Sequence, residues 1–256
     1  MLLLMVYTIL LGIKYSKYHL EHLSSVLQLC YSIAMKISER FTNAVLRFVF
    51  RIIFKVDTRP LAEVPLHGPA IIVSNHVSTL EGPLLYVFMQ PRSLVALAKK
   101  ELWDYRLTRF AMNLWGSIPV DRENMGRQTM EQCFAVLDKG NILAIAPEGT
   151  RSKDGNLQQG KAGVAFIAYK KQVPMIPIAT LGFENFSKNI KRLKRTPITL
   201  VVGKPFELVQ KEGRLDAHGR EQLIDEIMMR LAMLMPPSQW GHYSDRKVEF
   251  TLTKSI

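Results

Sequence analysis

Two stretches of the 256-residue chain gather side chains that can move a proton or hold an anion. The first is Ser74-Asn75-His76-Val77-Ser78-Thr79-Leu80-Glu81-Gly82-Pro83, which places a carboxylate five positions after a histidine. An imidazole titrates near neutral pH. A carboxylate bonded to one ring nitrogen keeps the proton there and leaves the other nitrogen as a base. No Ser or Cys nucleophile accompanies the pair, so the base would act on a hydroxyl of the substrate. The same spacing also suits a capping His76 and a Glu81 favoured by the positive end of a helix dipole. The second stretch is Ala146-Pro147-Glu148-Gly149-Thr150-Arg151-Ser152. Gly149 permits a sharp turn, and Arg151 offers a planar fork that matches phosphate oxygens. Hydroxyls of Thr150 and Ser152 lie beside it, and Lys153, Gly155, Gly160 and Lys161 continue a basic loop. An ordinary surface turn carrying charges has the same composition.

The surrounding pattern says what positions these stretches. Short apolar runs at 70–74, 93–98, 141–146, 173–180 and 196–203 read as strands. Stretches at 82–89, 105–115, 127–139, 162–171 and 219–235 read as helices, one of them stopped by Gly140. Alternating strands and helices predict an α/β fold, a central sheet flanked by helices. Both chemically loaded stretches leave the ends of apolar strands, where sites in such folds lie. There is no internal repeat, low-complexity tract or second linker.

Composition narrows the partners. The chain carries 34 Lys+Arg against 22 Asp+Glu, a formal charge of +12, which calls for an anionic partner. Residues 1–59 hold eight basic and three acidic side chains, hence +5, and are also strongly apolar. Nucleic-acid arms are basic and polar, whereas basic and apolar together point to a lipid interface, so no nucleic-acid partner is expected. Residues 1–13 (MLLLMVYTILLGI) are too short for a spanning helix and lack the features of a signal peptide, which leaves shallow insertion or a hydrophobic hairpin. In Ala44–Val56, Arg47, Arg51 and Lys55 recur every four residues. On a helix they would form a thin cationic stripe on an apolar cylinder, suited to an anionic membrane surface or to docking on the chain's own domain. The expected organisation is a helical membrane anchor over 1–59 and a catalytic domain over 60–256.

Other chemistries find no support. Cys30 and Cys133 are far apart, and Cys133 lies in an apolar helical pattern, so neither a disulfide scaffold nor a zinc module is expected. His76 and Glu81 lack further metal ligands, so no metal is expected. There is no Walker loop or dinucleotide fingerprint. His19, His22, His67 and His218 read as surface residues, and the Met-rich 228–235 stretch as core. The run Lys188, Lys191, Arg192, Lys194, Arg195 is a solvated segment or a contact for anionic lipid, an acidic carrier protein or coenzyme A phosphates.

The motifs resemble those of the glycerolipid acyltransferases. NHVSTLE is similar to their His-x4-acid motif, and PEGTRS to their phosphate-binding motif. Lys99-Lys100-Glu101-Leu102 with Gly116-Ser117-Ile118-Pro119-Val120-Asp121-Arg122 resembles a second block. Val173-Pro174-Met175-Ile176-Pro177-Ile178 resembles the fourth, and Met235-Pro236-Pro237-Ser238-Gln239-Trp240-Gly241-His242-Tyr243 the C-terminal ending. Four motifs in order over about residues 60–243 resemble the 1-acyl-sn-glycerol-3-phosphate O-acyltransferase (lysophosphatidic acid acyltransferase) family. Glu81 departs from the Asp usual there.

The resemblance implies transfer of an acyl group from acyl-CoA or acyl-carrier protein, as co-substrate without cofactor, to the 2-hydroxyl of a lysophosphatidic acid. It implies His76 as base oriented by Glu81, Arg151 on the substrate phosphate, and Lys99 or Lys100 with Arg122 as further cations. Glu148, Gly149 and Thr150 would shape the glycerol-phosphate pocket, and Pro177 a substrate-lining strand. It also implies a place at the cytoplasmic face of the cell membrane. Another acceptor (glycerol 3-phosphate, another lysophospholipid or an amino-acid lipid), or a non-catalytic membrane-surface protein, is the alternative.

Overall fold

The structure, a computed structural model, describes residues 17–121, 125–209 and 215–256, with side chains from residue 35 onward. It divides into two compact units, Met1–Thr42 and Asn43–Ile256. The first contributes the opening part of α1 (Lys17–Ile53). Residues 1–13 lie outside the described residues. Among the described residues no helix is long and apolar enough to cross a membrane.

The second unit follows in order β1 (Phe54–Val56), β2 (Ala70–Ser74), α2 (Glu81–Met89), β3 (Leu94–Lys99), α3 (Arg106–Leu114), β4 (Ile118–Val120), α4 (Arg127–Asp138) and β5 (Ile142–Ile145). Then come α5 (Ala162–Lys171), β6 (Met175–Leu181), α6 (Phe186–Ile190), β7 (Thr196–Val202), β8 (Phe206–Leu208), α7 (Ala217–Ala232) and β9 (Thr253–Ser255). The strands form one sheet in the order β1-β7-β6-β2-β5-β3-β4, with β8 pairing both β6 and β9. Its centre, β6-β2-β5-β3-β4, is parallel, while β7 and β8 run antiparallel to β6. This is the α/β architecture expected, with a mixed sheet.

The burial of each strand explains its sequence. Ile71, Ile72 and Val73 of β2 are fully buried because helices cover both faces, so β2 and β6 are continuous apolar runs. Next to the edge strand β1, β7 alternates buried and exposed residues. Pro177 sits in β6 opposite Val73, where the other edge of β6 passes from β8 at Met175 to β7 at Ile178. A residue without an N–H is tolerated at such a change of partner. Val164, Ala165, Ile167 and Ala168 of α5 and Leu223, Ile227, Met228 and Leu231 of α7 join Val73, Leu143 and Ile145 in the core. Complete burial of a Leu, Ile or Met is worth roughly 1.5–3 kcal/mol each, so this layer dominates the stability of the sheet.

The segment expected to be a helix over 44–56 ends instead at Ile53, and Phe54-Lys55-Val56 becomes β1, paired in parallel with β7. Phe54 is fully buried and meets Phe183 and Phe186 at 5.3 Å. Arg195 donates to its carbonyl at 2.7 Å. Residues 43–59 therefore belong to the compact second unit. The cationic stripe is also rearranged. Arg47 donates to Val87 O at 2.8 Å, Arg51 lies over the Phe88 ring, and Lys55 is on a strand. Asn43 and Phe50 face inward, while Val45, Phe48, Val49 and Ile52 are exposed. The helix thus turns apolar residues outward.

The topology creates one crevice. From β2 the chain passes through α2 to β3 on one side, and from β5 it passes through α5 to β6 on the other. Adjacent parallel strands whose connections diverge leave a gap at their carboxyl ends, where ligands bind in open α/β sheets.

Candidate active site

Both motif loops leave the sheet at this gap. Beyond Ser74, Asn75 turns its amide into the protein: Nδ2 donates to Thr180 O at 2.9 Å, and Oδ1 accepts from Thr180 N at 2.8 Å. These bonds pin the first residue after β2 to β6, so His76 starts from a fixed point. His76 N–H donates to Glu148 Oε1 at 2.8 Å, and His76 C=O accepts from Ser152 N–H at 2.7 Å. The histidine backbone is therefore held from both sides by the loop after β5.

The ring is held separately. His76 Nδ1 lies 2.9 Å from Glu81 Oε2. Val77 N–H donates to Glu81 Oε1 at 2.9 Å and Oε2 at 3.0 Å. Glu81 is the first residue of α2 and is 3% exposed, so it accepts without competition from water. An ionised carboxylate has no proton to give, which assigns the imidazole proton to Nδ1 and leaves Nε2 as an acceptor. The extra methylene of Glu relative to Asp is accommodated by seating the carboxylate on the Val77 amide.

Glu148 occupies the centre of the second loop, 3% exposed, with Oε1 on His76 N–H and Oε2 accepting from Gln158 N–H at 3.0 Å. Burial pushes its carboxyl up to about 7; the Gln158 and His76 amides pull it down, and the nearby Glu81 raises it further. Both oxygens are taken by backbone, so Glu148 joins two loops and does not line the cavity.

A cavity of about 300 Å³ opens at this point. Its polar edge includes Ser74, Asn75, His76, Glu81, Lys99, Asp121, Gly149 and Lys161. Its walls are Leu85, Leu94, Ala96, Leu97, Val120, Met125, Ala144, Ile145 and Val164, so it continues as an apolar slot. Ala96 and Ala144 face each other in the β3–β5 register, and their small side chains leave the space.

The remaining expected site residues separate. Lys99 lines the cavity and pairs with Glu101 at 3.2 Å. Lys100 pairs with Asp121 at the cavity edge without itself lining the cavity, so of the two lysines only Lys99 is a lining residue. Gly149 lines the cavity with φ +67°, the left-handed conformation its sequence position anticipated. Thr150 is exposed and bonds Gln158 Oε1 at 3.3 Å, outside the lining. Arg151 is exposed and also outside it. Pro177 is buried within β6 against Gly203, away from the cavity. Arg122 lies outside the described residues. Sequence reasoning gave no role to Asn75, Gln158 or Tyr243, whose partners are brought by distant elements. Among the described residues no group of His, Cys, Asp and Glu could hold a metal ion. Cys133 is buried, its thiol pushed up to about 12 by that burial, which makes it inert as a nucleophile.

Residues 55–181 match the family model described as Acyltransferase, a span that contains every residue placed at the cavity. These residues are an acyltransferase domain. The chain is 32% identical over 133 residues to the chloroplastic 1-acyl-sn-glycerol-3-phosphate acyltransferase BAT2 of Brassica napus, covering 50% of this chain and 38% of that protein. It is 33% identical over 135 residues to a 1-acyl-sn-glycerol-3-phosphate acyltransferase of Limnanthes douglasii, covering 51% of this chain and 48% of that one. The chain thus spans less than half the length of these curated relatives. The crystal structure of the 1-acyl-sn-glycerophosphate (LPA) acyltransferase PlsC from Thermotoga maritima superposes with a TM-score of 0.57 at 22% identity, over 77% of this chain and 79% of that one. That likeness establishes the fold of the acyltransferase domain.

Proposed function

We propose that the protein transfers a fatty acyl group from a thioester, acyl-CoA or acyl-carrier protein, to the 2-hydroxyl of 1-acyl-sn-glycerol 3-phosphate, forming phosphatidic acid. The observation that carries this reading is the His76 Nδ1–Glu81 Oε2 bond of 2.9 Å at the mouth of an apolar slot. The acceptor hydroxyl gives its proton to His76 Nε2 as its oxygen attacks the thioester carbonyl carbon. The tetrahedral intermediate expels the thiolate, which takes that proton back from the imidazolium. Glu81 stays ionised and stabilises the transient charge on the ring. A thiol leaves readily, so the catalytic load falls on the base, where positioned proton transfer contributes about 10²–10⁴-fold. The apolar walls suit an acyl chain, and Lys99 suits the anionic headgroup.

The exposed Val45, Phe48, Val49 and Ile52, near Arg51 and Lys55, suit contact with an anionic lipid surface, where a lysolipid acceptor would reside. This exposure supports a place at a membrane surface, and the cytoplasmic face of the cell membrane is part of the same proposal. The test is one assay: purified protein, labelled acyl-CoA and a panel of lysolipids, with products resolved by mass. Phosphatidic acid from lysophosphatidic acid is the expected product. Acylation of other acceptors alone would replace this acceptor, and no acylation of any would remove the reading.

A further inference from the structure

Between β6 and β7 the chain displays an apolar side chain where the backbone least favours one. Leu193 is 95% exposed and holds φ +54°, the left-handed region that is costly for a residue with a Cβ. Hydrogen bonds fix it there. Leu193 N–H donates to Ile190 O at 3.1 Å, and Lys194 N–H donates to Asn189 O at 3.0 Å. These are the two bonds of a Schellman turn after α6, and the position that Leu193 fills in it is usually glycine. For the fold alone, glycine or asparagine would serve this turn better.

The leucine stands among cations. Residues 186–195 contain Lys188, Lys191, Arg192, Lys194 and Arg195 and no acidic residue. All five basic residues are exposed, as is Ile190. Arg195 turns back to donate to Phe54 O at 2.7 Å, which ties the turn to the start of β1. Because β1 follows directly from Ile53, the turn adjoins the end of α1, where Phe48, Val49 and Ile52 are exposed. The same end of the sheet carries the catalytic loop. β6 runs parallel to β2, and Thr180 near its end bonds the side chain of Asn75, the neighbour of His76. The connection carrying the turn and the loop carrying His76 therefore leave neighbouring strands, spaced about 5 Å, at one end.

Resting on the membrane-surface reading given above, we propose that residues 188–194 form a membrane-docking tip, with Leu193 inserted among the acyl chains of an anionic bilayer and Lys188, Lys191, Arg192 and Lys194 at its headgroups. An apolar point ringed by cations matches the layering of an anionic leaflet. A partner protein with an acidic face would satisfy the cations but leave the adjoining apolar residues of α1 uncovered. A bilayer covers both. Docking through this tip brings the sheet end that bears His76 towards the leaflet.

The test uses the full-length protein and phosphatidylcholine vesicles with and without phosphatidylglycerol. Leu193→Asn removes the apolar side chain and keeps the turn, since asparagine tolerates the left-handed conformation. It is expected to melt no lower than the parent while its partition onto both kinds of vesicle falls about tenfold. The triple variant Lys191→Gln, Arg192→Gln, Lys194→Gln should lose about fivefold per cation, on the phosphatidylglycerol vesicles alone. Leu193→Trp reads depth directly: brominated acyl chains should quench it beyond the quenching of the parent's own tryptophans. Added quenching supports the tip even where residues 1–59 dominate partition, and its absence from bound protein overturns the tip. Binding to an acidic acyl-carrier protein that the triple variant loses, with no added quenching, replaces the bilayer by a protein partner. None of these readouts uses acylation, so a failed acyltransferase assay leaves them standing. A parent that binds neither kind of vesicle overturns the tip and the membrane reading together.

Discussion

The buried carboxylates and the rim cations of this site are built in opposite ways. Glu81 and Glu148 are each 3% exposed and accept from backbone amides, Glu81 from Val77 and Glu148 from His76 and Gln158. Lys99, Arg151 and Lys161 are exposed. The anions are spent on the protein's own geometry, whereas the cations lie at the solvent edge, Lys99 beside Glu101. A base must be held in one orientation before substrate arrives, because each misplacement costs rate. A cation that recognises a phosphate can complete its coordination on binding. The carboxylates should therefore govern kcat and stability, and the cations KM.

The largest break is at the base itself. His76→Ala is expected to lower kcat by at least about 100-fold with the fold intact by circular dichroism, since general-base help is worth about 10²–10⁴-fold. Unchanged kcat would remove His76 from the chemistry. Glu148→Ala comes next. It strands two buried amides at about 1–3 kcal/mol each, so unfolding by urea should show a loss of about 2–6 kcal/mol, with lower kcat in the protein that remains folded.

A subtler use of the same residue is pH. The carboxyl of Glu148 is raised from 4.5 to about 7 in the folded protein. The unfolded chain then releases its proton first as pH rises, so the native state binds more protons between the two values. Glu148 therefore contributes stability that is fully present below about pH 4.5 and is lost as pH climbs towards 7, by about 3 kcal/mol in all. Glu148→Gln, which cannot ionise, should flatten this part of the stability–pH curve. An unaltered slope would mean that Glu148 is not the titrating group.

Gly149→Ala sharpens the cation side. It forces a Cβ into a backbone at φ +67° and into contact with the Lys161 stem. The expected result is about 1–2 kcal/mol less stability together with a several-fold higher acceptor KM. Arg151→Ala should have the smallest effect, about threefold in KM, because Arg151 stands outside the cavity lining. A loss larger than that of Gly149→Ala would place Arg151 among the substrate contacts.

Much of this was legible in the sequence. The five strand runs and five helices anticipated from it all appear within a few residues of their expected bounds, most plainly β2 and β6, which are buried on both faces and read as unbroken apolar runs. His76 and Glu81 were legible because their pairing is local. Phe54–Val56 was not, since its letters continue the preceding helix and only β7, from the far end of the chain, turns it into a strand. The part played by Glu148 was hidden for a related reason: a carboxylate in a motif looks the same whether it meets a ligand or an amide 72 residues away. Pro177 falls in a motif block yet is buried in the sheet, where its role is structural.

The central claim is that His76 carries its proton on Nδ1, towards Glu81, and offers Nε2 to the acceptor hydroxyl. Nitrogen-15 NMR of the histidine rings, with His76 assigned by its substitution, reads this directly. A protonated Nδ1 and bare Nε2 that exchange tautomer in Glu81→Ala are predicted. A proton on Nε2 in the parent would contradict the account.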